Sequence, residues 1–322
     1  MATTTSTVSA PALHTIPLQY PPLLLIHTLI LPASLLLLPT TSGLLPFLPP
    51  APPLARGLDK PQYAFLDPIT AQPLLTLAWA VLGAAGAVGW WAGWMRMWVR
   101  EGTMGGKGVE AKMAREGKGK DLYNAWLFTL YAALAIHVVV TLFGAPLTTH
   151  LAHSFLLSLL LSILVFFAPA YALGLPSLAP LPLPLIKREH KESLVLDNTW
   201  VRLFAELSPR NPSERALVYP YIGAFLGAWA GVVPIGLDWD RPWQAYPLTP
   251  AYGAVLGHVV GGLAALATSA VVWLAETGLE GDDADWEDDG QGEAGARGGR
   301  KMKKKAKGKK GVKAGAVKGV GA

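Results

Sequence analysis

Residue types able to do chemistry are scarce in this 322-residue chain, and they gather where apolar runs give way to polar ones. The tightest group is Asp238-Trp239-Asp240-Arg241-Pro242-Trp243-Gln244. Two carboxylates spaced like this can hold a divalent cation, and a metal at a membrane surface could serve group transfer to a lipid headgroup. Arg241 beside them would neutralise one carboxylate, however, and the sequence places no further acidic ligand nearby. The alternative is a turn fixed by Asp–Arg pairing and Pro242, with Trp239 and Trp243 anchored at headgroup level. That reading accounts for more of the group, and no catalytic residue or metal site is assigned here.

Histidines offer a second possibility. His150 and His153 share a face if a helix starts there, but two ligands with no carboxylate or third histidine make a weak metal site. His27, His137 and His258 fall inside apolar runs, where an ionisable group is a functional candidate by default. A neutral imidazole can equally hydrogen-bond one helix to another, and that reading is preferred. The chain has no cysteine, so a thiolate nucleophile, a cysteine metal site and a disulfide framework are all excluded. No GxxxxGK[ST], HExxH or G-x-S-x-G motif occurs.

The elements that must position these residues are long and apolar. Hydrophobic residues make up 52% of the chain and charged ones 15%, and the mean hydropathy is +0.35. Roughly 20 mostly apolar residues cross a bilayer as a helix. Six stretches qualify, at about 22–42, 73–95, 124–145, 150–172, 216–237 and 250–274. The first contains Pro32 and Pro39 and lacks the basic start and small-residue cleavage site of a signal peptide. The expected fold class is therefore all-α, a polytopic transmembrane bundle occupying residues 21–275. Residues 1–20 and 276–322 read as disordered tails, the second running from an acidic block into a lysine cluster.

Charge sets the expected orientation. Of the 27 Lys and Arg residues, all but Arg56, Lys60 and Arg241 fall in the loops after the second and fourth spans or in the C-terminal tail. The positive-inside rule assigns that side to the cytosol, with both termini there and the 238–244 turn opposite. A basic balance distributed this way reflects membrane topology, not nucleic-acid binding. The lysine cluster suits anionic lipid, at about 1 kcal/mol per basic residue near the surface.

Glycine spacing gives the packing. Gly223, Gly227 and Gly231 precede the acidic turn, and Gly253, Gly257 and Gly261 follow it. Steps of four put them on one helix face, where backbones can approach closely, either within a helical hairpin or against a partner's helix. The glycine-rich run Gly83–Gly93 is expected to be a further packing seam. Upstream, Asn211 is a good N-cap, Pro212 suits the first helical position, and Glu214 completes a capping-box variant. Trp200, Arg202 and Phe204 could form an amphipathic segment lying on the bilayer.

Several of these residues carry a resemblance. Gly227-Ala228-Trp229, Pro234-Ile235 and Leu237 to Gln244, with Trp200-Val201-Arg202-Leu203-Phe204, Pro212, Glu214 and Pro220 upstream, resemble the Pig-F family of glycosylphosphatidylinositol (GPI) anchor biosynthesis. The similarity is specific over about residues 195–265. Before that it rests on hydropathy and span number, including the helix around Leu25-Ile26-His27. The basic loop 96–120 and the lysine tail look like lineage-specific additions.

The resemblance implies a multi-pass protein of the endoplasmic reticulum membrane. It implies large ethanolamine-phosphate transferases as partners, which carry the lumenal metal-dependent catalytic domain while the Pig-F-like subunit stabilises them. On that basis the chain is expected to be noncatalytic and to need no cofactor. The turn 238–244 is expected to contact the partner or the GPI glycolipid. The alternative is an integral-membrane lipid enzyme or lipid transporter using Asp238 and Asp240.

Overall fold

The computed structural model describes residues 18–44, 63–104, 117–146, 148–176 and 190–277. The chain divides into two compact units, Met1–Ser269 and Ala270–Ala322. The described part of the second, residues 270–277, is helical. The expected tails, apart from residues 18–20 and 276–277, lie outside the described residues, as does most of the basic loop between Met104 and Gly117.

Every regular element among the described residues is helical. Six helices are long and apolar enough to cross a bilayer: Tyr20–Thr41, Pro73–Val99, Lys118–Leu142, Leu151–Leu173, Pro212–Gly236 and Leu248–Thr277. We label them α1 to α6. They coincide with the six expected spans, and the differences lie at the ends: the helix of α2 continues past 95 to Met104, and two helices begin early. Helix α3 starts at Lys118 and α5 at Pro212, each earlier than the apolar run. Hydropathy marks the apolar stretch, whereas the helix itself continues into a polar first turn. Tyr20, expected in the tail, opens α1 and is buried.

Helices α1 and α2 run antiparallel, as their contacts show. Along α1 and α2, the Tyr20 ring lies edge-on to Trp98, His27 stacks on Trp91, and Ser34 lies against Gly83. Ser162 of α4 donates to the Thr129 carbonyl of α3 at 2.5 Å. α4 is the most enclosed helix, with 72% of its most apolar window buried. It contains a π-helical turn at Ile163–Phe167, and four of those five residues are buried in the core. Pro32 sits inside α1 and Pro220 inside α5. A proline is tolerated in a spanning helix where neighbours satisfy the freed carbonyls.

Only part of the glycine-rich run in α2 is a seam. A Cβ on Gly83 would lie 2.6 Å from Ser34 Cβ, but Gly86 and Gly93 face open space and Gly89 has one contact at 4.0 Å.

Candidate functional site: a glycine hairpin and its polar turn

Helices α5 and α6 cross through their glycines. A Cβ on Gly223 would lie 2.8 Å from the Gly257 carbonyl carbon, and one on Gly227 would lie 2.8 Å from that of Gly253. The reverse additions at Gly253 and Gly257 meet Gly227 and Gly223 in turn. The outer two glycines face other residues: Gly231 meets Thr249 and Pro250, and Gly261 meets Tyr219 and Pro220. Each step of four along α5 is answered by a step of four along α6, an antiparallel register with no side chain between the backbones. This assigns the stripe to a hairpin within the chain.

Backbones this close leave a shallow channel on the outer side of the crossing. It is an open, apolar groove of about 630 Å3, with Gly223, Gly227 and Gly257 on its floor and Leu226, Leu256 and Val260 among its walls. The three wall residues are exposed.

The turn joining the two helices is organised by Gln244. Its Nε2 donates to the carbonyls of Pro234 at 2.6 Å and Leu237 at 2.9 Å, and its Oε1 accepts from the Arg241 N–H at 2.7 Å. One side-chain amide thus ties both sides of the loop together. Pro242 opens the helical turn Pro242–Gln244, and Asp240 adopts a left-handed conformation with φ 49°. Trp239 and Trp243 pack on one another with ring centroids 5.8 Å apart. Asp238, Trp239 and Asp240 are exposed, while Arg241, Pro242, Trp243 and Gln244 are half-buried. Sequence alone credits this turn to Asp–Arg pairing and Pro242 and misses the central role of Gln244. That residue lies two positions after a proline and ends the polar run, and this placement is its only signal.

At the same end of the bundle, His150 and His153 do share a face, with ring centroids 5.0 Å apart. The Ser154 hydroxyl lies 2.9 Å from the Tyr246 hydroxyl. Burial holds the Tyr246 phenol above its ordinary pKa, and the Ser154 hydrogen bond opposes that in part. Among the described residues no group of three or more His, Cys, Asp or Glu is arranged to hold a metal ion.

Deeper in the bundle, His27 and His258 meet across α1 and α6. Their Nε2 atoms are 3.3 Å apart, so one ring donates and the other accepts. His27 also stacks on Trp91 at 5.1 Å. The pair joins residues 231 apart in sequence, which is the interhelical role expected for buried imidazoles.

The opposite end is held by sequestered charge. Arg96, 3% exposed, donates to the Asp121 carboxylate at 2.5 Å and to the Tyr171 carbonyl at 3.0 Å, with its guanidinium over the Tyr171 ring. Trp200 donates from its indole nitrogen to the Gly174 carbonyl at 2.9 Å and is buried against Phe128 and Phe204. This overturns the expectation of a segment lying on the bilayer: Trp200 and Leu203 are core residues, and Phe204 packs on Tyr221. The π-helical turn Val201–Ala205 carries Leu203 and Phe204, directly after Trp200.

Arg202 and Glu214 form a two-pronged ion pair, at 2.8 and 2.6 Å, and Arg202 also donates to the Ser208 carbonyl. The Glu214 hydrogen bonds hold the Arg202 pKa above its ordinary value. Asn211 caps α5 as expected, its Oδ1 accepting from the Glu214 N–H at 2.8 Å, and Pro212 follows at the first helical position. Glu214 does more than start the helix. Its carboxylate also accepts from the Arg210 N–H at 2.7 Å, so it anchors α5 to the preceding segment.

Six helices long and apolar enough to cross a bilayer, two of them joined by a side-chain-free crossing, define a multi-pass helical membrane protein. The model of the GPI biosynthesis protein family Pig-F matches residues 62–266, and the chain belongs to that family. It is 38% identical over 135 residues to glycosylphosphatidylinositol anchor biosynthesis protein 11 of Pyricularia oryzae, covering 42% of each chain. It is 31% identical over 135 residues to the human GPI ethanolamine phosphate transferase, stabilizing subunit, covering 42% of this chain and 52% of that one. Over 138 residues it is 34% identical to the Debaryomyces hansenii anchor biosynthesis protein 11, covering 43% of this chain and 50% of that one. The chain thus spans about half the length of the curated relatives it matches. No solved structure matches it.

Proposed function

We propose that this chain is a noncatalytic subunit of the endoplasmic reticulum membrane that stabilises an ethanolamine-phosphate transferase of GPI-anchor assembly. The name of its human relative supports the role. The observation that carries the physical side of the reading is the open groove over the α5–α6 crossing. In lipid, helix association depends on close packing, because lipid tails offer the same apolar surroundings as a leucine surface. A shallow channel with a glycine floor admits a second helix more closely than any other lipid-facing surface of the hairpin would. A spanning helix of the transferase then lies over Gly223, Gly227 and Gly257, between Leu226 and Leu256.

The basic loops face the cytosol in this reading, and the 238–244 turn faces the lumen. There Asp238, Trp239 and Asp240 are exposed to meet the transferase's catalytic domain or its glycolipid. Wall and floor residues separate partner docking from folding. Leu226→Ala combined with Leu256→Ala should leave the level of the subunit unchanged and cut recovery of the transferase in a pulldown by several-fold. Full recovery with this double variant would refute docking at the groove.

A further inference from the structure

Three arginines are sequestered toward the basic end of the bundle, and they are not equivalent. Arg96 has the Asp121 carboxylate, and Arg202 has both oxygens of Glu214. Arg215, in the first turn of α5, is 9% exposed, yet its one side-chain hydrogen bond among the described residues is a long 3.4 Å contact from Nη1 to the Ser269 hydroxyl of α6. No carboxylate among the described residues reaches it. Arginine does not shed its proton in proteins, so it cannot escape burial by becoming neutral as a lysine or histidine can. A largely enclosed guanidinium with five donors, one long hydrogen bond and part of its head group still accessible is suited to receive an anion.

Its surroundings agree. Leu24 of α1, Pro220 of α5 and Gly262 of α6 meet in one layer, since a Cβ on Gly262 would lie 3.3 Å from Leu24 Cδ1 and 4.0 Å from Pro220 Cγ. Arg215 precedes Pro220 by five residues, Ser269 follows Gly262 by seven, and Tyr20 precedes Leu24 by four. All three thus lie on the basic side of that layer. The Tyr20 hydroxyl is buried and has no hydrogen-bond partner. Helix α5 also begins three residues before Arg215, so its N-terminal dipole adds positive potential.

We propose that Arg215 and Ser269 form a binding site for a phosphate anion between α5 and α6, carried either by a phospholipid headgroup or by free phosphate. The guanidinium fork matches phosphate oxygens two at a time, and a hydroxyl beside it supplies one further donor. The site is distinct from the groove and from the 238–244 turn, and it does not depend on the partner proposal.

The test uses the full-length chain, delipidated in detergent and titrated in parallel with phosphatidic acid and with inorganic phosphate. Binding is read by native mass spectrometry and by the melting midpoint. Wild type should bind and gain thermal stability, with Arg215→Gln weaker by on the order of ten-fold. Lys120→Gln, at an exposed position, should match wild type. A response to phosphatidic acid alone assigns the site to lipid, and a response to inorganic phosphate assigns it to the free ion. Should Arg215→Gln fail to fold, Arg215→Lys keeps the charge and should still lose several-fold, as should Ser269→Ala. The proposal is overturned if wild type binds neither probe, or if the Arg215 and Ser269 variants that fold bind as wild type does. It is also overturned if Arg215→Gln reduces transferase recovery with lipid affinity unchanged, because the missing anion is then a protein carboxylate.

Discussion

The α1–α2 contact and the α5–α6 contact solve the same packing problem in opposite ways. Helices α1 and α2 are spaced by rings: Tyr20, Trp91 and Trp98 pack on one another at 5.6–5.9 Å, and His27 stacks on Trp91. Where their glycines cross, helices α5 and α6 have nothing between them but backbone. A contact built from large side chains is vulnerable to their removal. A contact built from hydrogen atoms is vulnerable to any addition. In a bilayer both depend on dispersion and fit, since apolar surface gains little by leaving lipid.

The largest effect should come from filling the glycine crossing. Gly257→Leu would drive a branched side chain into the Gly223 backbone, and we expect it to cost about 5 kcal/mol, enough to lose the folded subunit. Its steady-state level and its melting midpoint in detergent would both show this. Truncating the other contact should cost less. Trp91→Ala removes the ring shared by Tyr20, Trp98 and His27, at about 3 kcal/mol by the same melting assay.

Smaller still is the effect at the basic end. Glu214→Gln keeps the shape but breaks the charge-assisted pair with Arg202, and about 2 kcal/mol should be lost. Glu214→Asp should not restore it, because the shorter side chain cannot reach both guanidinium nitrogens. The smallest change sharpens the comparison from the other side. Gly86 lies in α2 with no atom within 4 Å of a built Cβ. Gly86→Ala should therefore be neutral or stabilise by up to about 1 kcal/mol. A loss as large as that of Gly257→Leu would mean that backbone proximity does not set the cost of filling a glycine in these helices.

These contrasts track what could be read without coordinates. Span number was legible because bilayer thickness imposes a length that composition reveals directly. The α5–α6 crossing was legible because six glycines repeat every four residues, a period that gathers them on one face of each helix. The same logic misread Gly86 and Gly93, where an added Cβ would meet no atom within 4 Å.

What stayed hidden depends on contacts distant in sequence. Nothing near Arg202 announces that a chain reversal returns Glu214 to it, and nothing near His27 points to His258. The burial of Trp200 was missed for a related reason. Its helix His190–Trp200 reads as polar, and the Gly174 carbonyl with the Phe128 and Phe204 rings draws the indole inward. Gln244 was visible as a residue but not as the amide that closes the turn.

Photocrosslinking would show in place whether a transferase helix lies over the groove. A photoreactive amino acid placed singly at Leu226, at Leu256 and at Leu134 of α3, all exposed apolar positions, should be irradiated in native membranes and the captured protein identified by mass. With a transferase helix in the groove, an ethanolamine-phosphate transferase is captured from residues 226 and 256 and not from residue 134. Capture of the transferase from residue 134 alone, or of lipid only at all three positions, would contradict it.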